Sequence, residues 1–181
     1  MDPGPAGAGI SWRRVLLLGF MGAGKSTVGP LLANALGWSF LDGDAELVRR
    51  SGVSVAKWFS RFGEPAFRRE EARLTSELCL RERLVLAPGG GWAAGGGALE
   101  SLPPATALVW LRISAEEAVR RVSATAEVRP LLAGADPLDT SRRLLAVREP
   151  WYARADFTID VDGRTPADLT IAILEWLRTS S

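Results

Sequence analysis

The chain has 181 residues, 47% hydrophobic and 24% charged, which is ordinary for one globular domain with a real core. Its 22 basic and 21 acidic residues nearly cancel, so no general field draws in nucleic acid or an acidic membrane surface. With no His and a single Cys, internal disulfides, cysteine metal sites, Ser-His-Asp triads and His-ligated zinc are excluded.

From Met1 to Ser11 the chain is rich in Gly, Pro and Ala and lacks the basic and apolar segments of a signal peptide. No apolar run approaches the ~18 residues needed to cross a membrane. The expectation is a disordered tail over residues 1–12 of a cytoplasmic protein, followed by a single domain over 13–181. The short apolar run Val15-Leu16-Leu17-Leu18 predicts a buried strand. It enters Gly19-Phe20-Met21-Gly22-Ala23-Gly24-Lys25-Ser26-Thr27, which fits the phosphate-loop pattern. Glycines let successive backbone N–H groups point into one concavity, and a helix N-terminus adds positive charge behind it. That helix is predicted by Val28, Leu31, Leu32 and Leu36, with Gly37 ending it. Lys25 would reach the outer phosphates and Ser26 would ligate Mg²⁺. Of the 22 basic residues only Lys25 and Lys57 are lysines, so one of two lysines sits in this loop.

A second strand, Trp38 to Leu41, runs into Asp42-Gly43-Asp44. Two acids at a strand's C-terminal end fall where open parallel sheets bind ligands. They suit either a helix-capping turn or a metal or substrate role. A short helix from Asp44 to Arg50 follows, then one capped by Ser54 with Val55, Trp58 and Phe59 apolar, broken at Gly63. Glu64-Pro65 opens a longer helix to about Arg83, placing Arg68 and Glu71 on one face. That pair is either an exposed ion pair or a device holding a guanidinium for a substrate anion. The third strand, Leu84 to Ala87, ends in Pro88-Gly89-Gly90-Gly91, which permits close backbone approach to a ligand; Gly95-Gly96-Gly97 is expected to be a plain loop.

Ala107 to Leu111 is the fourth strand, and Ser114-Ala115-Glu116-Glu117 matches a capping box that starts a helix. Residues 123–137 are small, polar and punctuated by proline, a candidate lid carrying Arg129. A helix from about Leu138 to Trp151 bears Arg142, Arg143 and Arg148. Phe157 to Val161 is the fifth strand. Thr165-Pro166-Ala167-Asp168 starts a last helix, whose Leu169, Ile173, Trp176 and Leu177 should pack on the sheet. The seven Trp are expected mostly as packing groups. Strands alternating with helices define an α/β fold, a P-loop NTPase with helices on both faces of a parallel sheet.

Taken from the residues alone, this is a small phosphate-loop kinase. Arginines converging on a pocket suit a carboxylate gripped bidentately, and the acids suit hydroxyls. A hydroxylated carboxylic acid satisfies both.

The landmarks closely resemble the shikimate kinase family: the phosphate loop, Phe40 to Asp44, Gly63-Glu64 with Phe67 to Glu71, Gly89-Gly90-Gly91, Arg129-Pro130-Leu131-Leu132, and Arg148 four before Tyr152. The resemblance runs from about Val15 to Leu177. It implies a nucleoside monophosphate kinase-like, five-stranded sheet of order 2-3-1-4-5, with acceptor-binding helices over about 44–83. It implies phosphorylation of the shikimate 3-hydroxyl by MgATP, in aromatic amino acid biosynthesis. Carried over by position, Gly22, Ala23, Gly24, Lys25, Ser26 and Thr27 would hold the phosphates, with Ser26 on Mg²⁺ and Asp42 on its waters. Asp44, Arg68, Gly89, Gly90, Gly91 and Arg148 would bind shikimate, with Arg68 and Arg148 on its carboxylate and Phe59 and Phe67 shaping the pocket. Asp44 would be the base. Arg129 would close over the phosphates, and Arg121 and Arg164, with Pro166 nearby, would flank adenine. Trp92 stands where a small residue is common in the family, and the stretch from Arg121 to Arg129 is a residue longer than in some members.

A gluconate kinase would share the fold but not the Asp42, Asp44, Arg68 and Arg148 set. A non-catalytic nucleotide-binding module would lack the acceptor residues. A regulatory GTPase would carry an Asn-Lys-x-Asp run, absent here, and a nucleic-acid-binding domain a basic stripe. A monomer is expected.

Overall fold

The computed structural model describes residues 11–95, 98–124 and 136–180. Five strands, β1 (Arg14–Leu18), β2 (Ser39–Asp42), β3 (Leu84–Ala87), β4 (Thr106–Arg112) and β5 (Phe157–Asp160), form one sheet of order β2-β3-β1-β4-β5. Every pairing is parallel, with Val15 opposite Val85 on one side and Ala107 on the other. The helices are α1 (Lys25–Leu36), α2 (Gly43–Ser51), α3 (Val55–Phe62), α4 (Glu64–Leu78), α5 (Ala115–Ser123), α6 (Pro137–Tyr152) and α7 (Pro166–Thr179).

Side chains alternate across a strand, and β1 uses both faces. Val15 and Leu17 enter a core with Leu32 and Leu36 of α1 and Leu169, Ile173 and Leu177 of α7. Leu16 and Leu18 enter a second core with Leu47 of α2, Phe67, Leu74 and Leu78 of α4, Trp110 of β4 and Tyr152 of α6. Burial on both faces is why the inner strands are continuous apolar runs. Trp176 is only partly buried and stacks between Phe157 and Trp12.

Two expectations change. The helix expected to reach about Arg83 ends at Leu78, because Leu80 and Arg81 donate to Glu77 and Leu78 in a tightening turn. Arg83 then takes a left-handed φ of 53° while its N–H donates to Arg13 at 2.7 Å, which aligns β3 with β1. At α5 only half of the capping box forms. Ser114 Oγ accepts from Glu117 N at 3.2 Å, but the Ser114 N–H donates to Asp162 and the Glu117 carboxylate turns to Arg120 and Arg121. The full reciprocal box occurs at Thr165 and Asp168. A 3-10 turn, Trp92–Ala94, follows the glycine turn and buries Trp92, while Gly96 and Gly97 lie outside the described residues. Among the described residues no helix is long and apolar enough to cross a membrane.

Candidate active site

The C-terminal ends of β1, β2 and β3 carry the candidate residues, where open α/β sheets place ligands. β1 delivers the loop from Gly19, and Phe20 and Ala23, both fully buried, pin it to the core. Gly22 has φ +78°, and a Cβ there would stand 3.2 Å from the Ala118 carbonyl oxygen. Only glycine meets both conditions at this position. α1 then starts at Lys25 with no side-chain cap and no acid in its first turn. The helix dipole at this end favours an anion. Lys25 Nζ folds over the loop, donating to Gly19 at 2.7 Å and Phe20 at 3.1 Å. Gly22, Ala23, Gly24, Lys25, Ser26 and Thr27 are thus collected by one turn of backbone.

Ser26 Oγ donates to Asp42 Oδ2 at 2.5 Å, while Asp42 Oδ1 accepts from Ala45 N at 3.1 Å and caps α2. The capping and ligand roles left open by the sequence are therefore compatible in one carboxylate. Among the described residues no group of three or more acids, His or Cys is gathered for a metal. Two hard oxygens beside a phosphate cradle fit Mg²⁺, which keeps waters and takes phosphate oxygens as its other ligands.

The acceptor candidates converge on the glycine turn after β3. A Cβ at Gly89 would collide with the Glu71 carboxylate and lie 3.0 Å from Asp44 Oδ1. One at Gly90 would lie 3.2 Å from the Gly19 carbonyl oxygen and 3.7 Å from Arg148 Nη1. One at Gly91 would press on the Arg68 guanidinium at 2.6 Å. Side chains at this turn would displace the charged groups around it. Arg68, Arg148 and Asp44, from α4, α6 and α2, therefore all lie against this turn, which itself stands against the phosphate loop at Gly19 and Met21.

Electrostatics hold that arrangement. Arg68 Nη1 donates to Glu71 Oε2 at 2.8 Å, and its Nη2 reaches Glu64 at 3.2 Å. Burial works against the Arg68 charge, but Glu71 and Glu64 more than offset it and raise its pKa. Glu71 is 4% exposed, and its Oε1 has no hydrogen-bond partner among the described residues. Burial pushes the Glu71 carboxyl up against the opposing pull of Arg68. The guanidinium lies 5.8 Å from the Phe59 ring centroid and 5.2 Å from that of Phe67, so both phenyl rings form the wall. Arg148 is buried, 5.5 Å from the ring centroid of Phe20 in the phosphate loop.

On the other side of the loop, Arg121 Nε donates to Glu117 at 2.6 Å, Nη1 to Gly22 at 3.2 Å and Nη2 to Val161 at 3.1 Å. The Arg164 N–H donates to the same Val161 carbonyl at 3.3 Å. Arg121 and Arg164 are brought to one turn, just before Pro166 at the start of α7. Arg120 and Arg121 hold the Glu117 carboxyl down to about 2. Arg129 and most of the expected lid lie outside the described residues.

Sequence reasoning missed several supports. Phe20 was counted only as a loop residue, although it carries Arg148. Glu64 opens α4 and also pairs with Arg68, which its ordinary i, i+4 spacing signals. Glu117 gives the same i, i+4 signal toward Arg121, whereas the bond from Tyr152 to Gly90 appears only in three dimensions.

A phosphate loop with a Ser–Asp oxygen pair, facing a buried arginine and carboxylate pocket, defines a phosphoryl-transfer enzyme for a small anionic acceptor. A family model described as "Shikimate kinase" matches residues 21–178. The shikimate kinase of Synechococcus sp. (strain RCC307) is 40% identical over 180 residues, covering 97% of this chain and 90% of that protein. That of Moorella thermoacetica is 42% identical over 164 residues, covering 91% and 94%. The solved structure of shikimate kinase from Acinetobacter baumannii in complex with shikimate superposes with a TM-score of 0.91 at 35% identity, covering 98% of this chain and 99% of that one. The chain belongs to the shikimate kinase family.

Proposed function

We propose that this cleft transfers the γ-phosphoryl group of ATP to the 3-hydroxyl of shikimate. The observation that carries it is the convergence of Asp44, Arg68 and Arg148 on the Gly89–Gly91 turn, within reach of the phosphate loop. The relatives' activity and the A. baumannii complex support the same acceptor. Arg68 and Arg148 hold the acceptor carboxylate, and Gly89, Gly90 and Gly91 let the ring approach the backbone. Asp44 orients the attacking hydroxyl and takes its proton. The hydroxyl oxygen bonds to the γ-phosphorus as the bond to the β,γ-bridging oxygen breaks, and ADP leaves. Catalysis here is positioning and charge stabilisation rather than covalent help. Lys25 and the Gly22–Thr27 backbone carry the phosphate charge. Arg129 adds a cation from the lid, and Arg121 and Arg164 flank the adenine.

Ser26 and Asp42 would hold Mg²⁺, Asp42 through water; the ion would neutralise phosphate charge. A monomer is the proposed state. With a product used in aromatic amino acid biosynthesis, the cytoplasm is the fitting compartment. The test is ADP release with MgATP and a panel of shikimate, quinate, gluconate and nucleoside monophosphates. Turnover should be confined to shikimate; equal turnover of gluconate would overturn the acceptor assignment.

A further inference from the structure

Gly90 is held from three sides. The phosphate loop stands against it through Gly19 and Met21, and Arg148 Nη1 lies beside it. From beneath, the Tyr152 hydroxyl donates to the Gly90 carbonyl. Tyr152 is 1% exposed and packs on Trp110, with ring centroids 5.8 Å apart. It sits one turn after Arg148 on α6, so both side chains leave the same helix face. Pro150, between them, supplies no N–H to the helix. The end of α6 is thus held in part by what its side chains grip. Burial pushes the phenol up to about 12 despite the opposing charge of Arg148, which keeps the hydroxyl protonated near neutral pH.

We propose that Tyr152 is a positioning residue for the acceptor, its hydroxyl fixing the glycine turn and the Arg148 guanidinium in register with the phosphate loop. Removing the hydroxyl takes this donor from a partly buried carbonyl and frees the turn to shift. The phosphate loop keeps its own anchors in Phe20 and Ala23. The consequence should therefore fall on the acceptor and spare the nucleotide.

This inference rests on the acceptor role proposed above for Arg148 and Gly90. The first test is steady-state kinetics of Tyr152→Phe, with Trp110→Phe and Arg148→Ala beside it. Tyr152→Phe should raise the shikimate KM about tenfold, the scale of one lost hydrogen bond, and leave the ATP KM within about twofold. Trp110→Phe loosens the same packing without touching the hydroxyl. It should lower the melting temperature yet leave the shikimate KM unmoved. An unchanged shikimate KM in Tyr152→Phe, or an equal rise in Trp110→Phe, overturns the inference. If Arg148→Ala raises the shikimate KM while Tyr152→Phe does not, only the role of Tyr152 falls. If Arg148→Ala has no effect, the acceptor placement falls with it.

A second measurement needs no substitution. Tyr152 is the sole tyrosine in the chain, so biosynthetic 3-fluorotyrosine gives a single fluorine resonance from this ring. Shikimate should shift it and an ATP analogue should not. A resonance indifferent to saturating shikimate would contradict the proposal even if Tyr152→Phe failed to fold.

Discussion

The phosphate loop and the acceptor helices reach the same cleft by different routes. β1 is buried along its whole length, and the loop it delivers is fastened by Phe20 and Ala23. α3 contributes no fully buried residue; α2 is anchored by Leu47 and α4 by Phe67, Leu74 and Leu78, and ion pairs tie these two helices to each other. Glu46 binds Arg49 and Arg50, Arg50 also binds Glu77 of α4, and Arg68 binds Glu71 and Glu64. One half of the site is therefore backbone on the central strand. The other is side-chain charge on peripheral helices. Segments with few buried apolar contacts open at lower free energy, so the acceptor side should be the softer half. Substitutions there should be graded and coupled, whereas those in the loop should remove turnover outright.

The largest effect should come from Lys25→Ala. If Lys25 carries phosphate charge as proposed, turnover should fall by about a thousandfold or more. The melting temperature should hardly move, because the core is untouched. Near-normal turnover in the folded variant would break the comparison at its nucleotide end.

Arg68→Ala and Arg148→Ala should each weaken shikimate binding by about 2–5 kcal/mol, the scale for truncating one partner of a desolvated charge pair. Part of the Arg68 effect would come from Glu71, left buried without its partner. If both grip one carboxylate, as proposed, the double variant should lose less than the sum of the two. Calorimetry with shikimate and its methyl ester would show this; equal affinity of the wild type for acid and ester would contradict the grip.

Asp44→Asn keeps the shape but removes the proton acceptor. Turnover should fall by more than tenfold, about 1.4 kcal/mol on the barrier. Single-turnover phosphoryl transfer would measure it; a smaller loss means that Asp44 is not the base.

The smallest effect should be on stability, and it probes the softer half. Arg49 and Arg50 hold the Glu46 carboxyl down to about 2, against an ordinary 4.5. A carboxylate depressed in the folded state stabilises above its unfolded pKa and loses that contribution as pH falls through the folded value. Glu46→Gln should therefore lower the urea midpoint at pH 7, with the gap closing between pH 4.5 and 2. Arg49 is largely exposed, so solvent screening limits the loss to about 1 kcal/mol. A gap that persists at pH 2 would mean packing, not charge, holds α2.

The sequence by itself determined most of the architecture. Fully apolar runs at β1, β3 and β4, separated by helical periodicity and glycine stops, fix a parallel sheet because only strands buried on both faces can be so uniformly apolar. The phosphate loop was legible because all its parts are contiguous and act through backbone geometry. Arg68 and Arg148 were legible as arginines on helices, but their meeting was not. Their sequence separation says nothing of distance until α4 and α6 pack on the same face of the sheet. Tertiary structure alone decided that Phe20 lies against Arg148, that Glu71 is buried with one oxygen unpartnered among the described residues, and that Tyr152 grips Gly90. It also ended α4 at Leu78, where Leu80 and Arg81 turn back onto Glu77 and Leu78, and it gave the Arg83 amide to the Arg13 carbonyl just before β1. Local propensity cannot foresee a hydrogen bond whose partner lies 70 residues earlier (Arg83 minus Arg13), since that bond exists only after the sheet has formed.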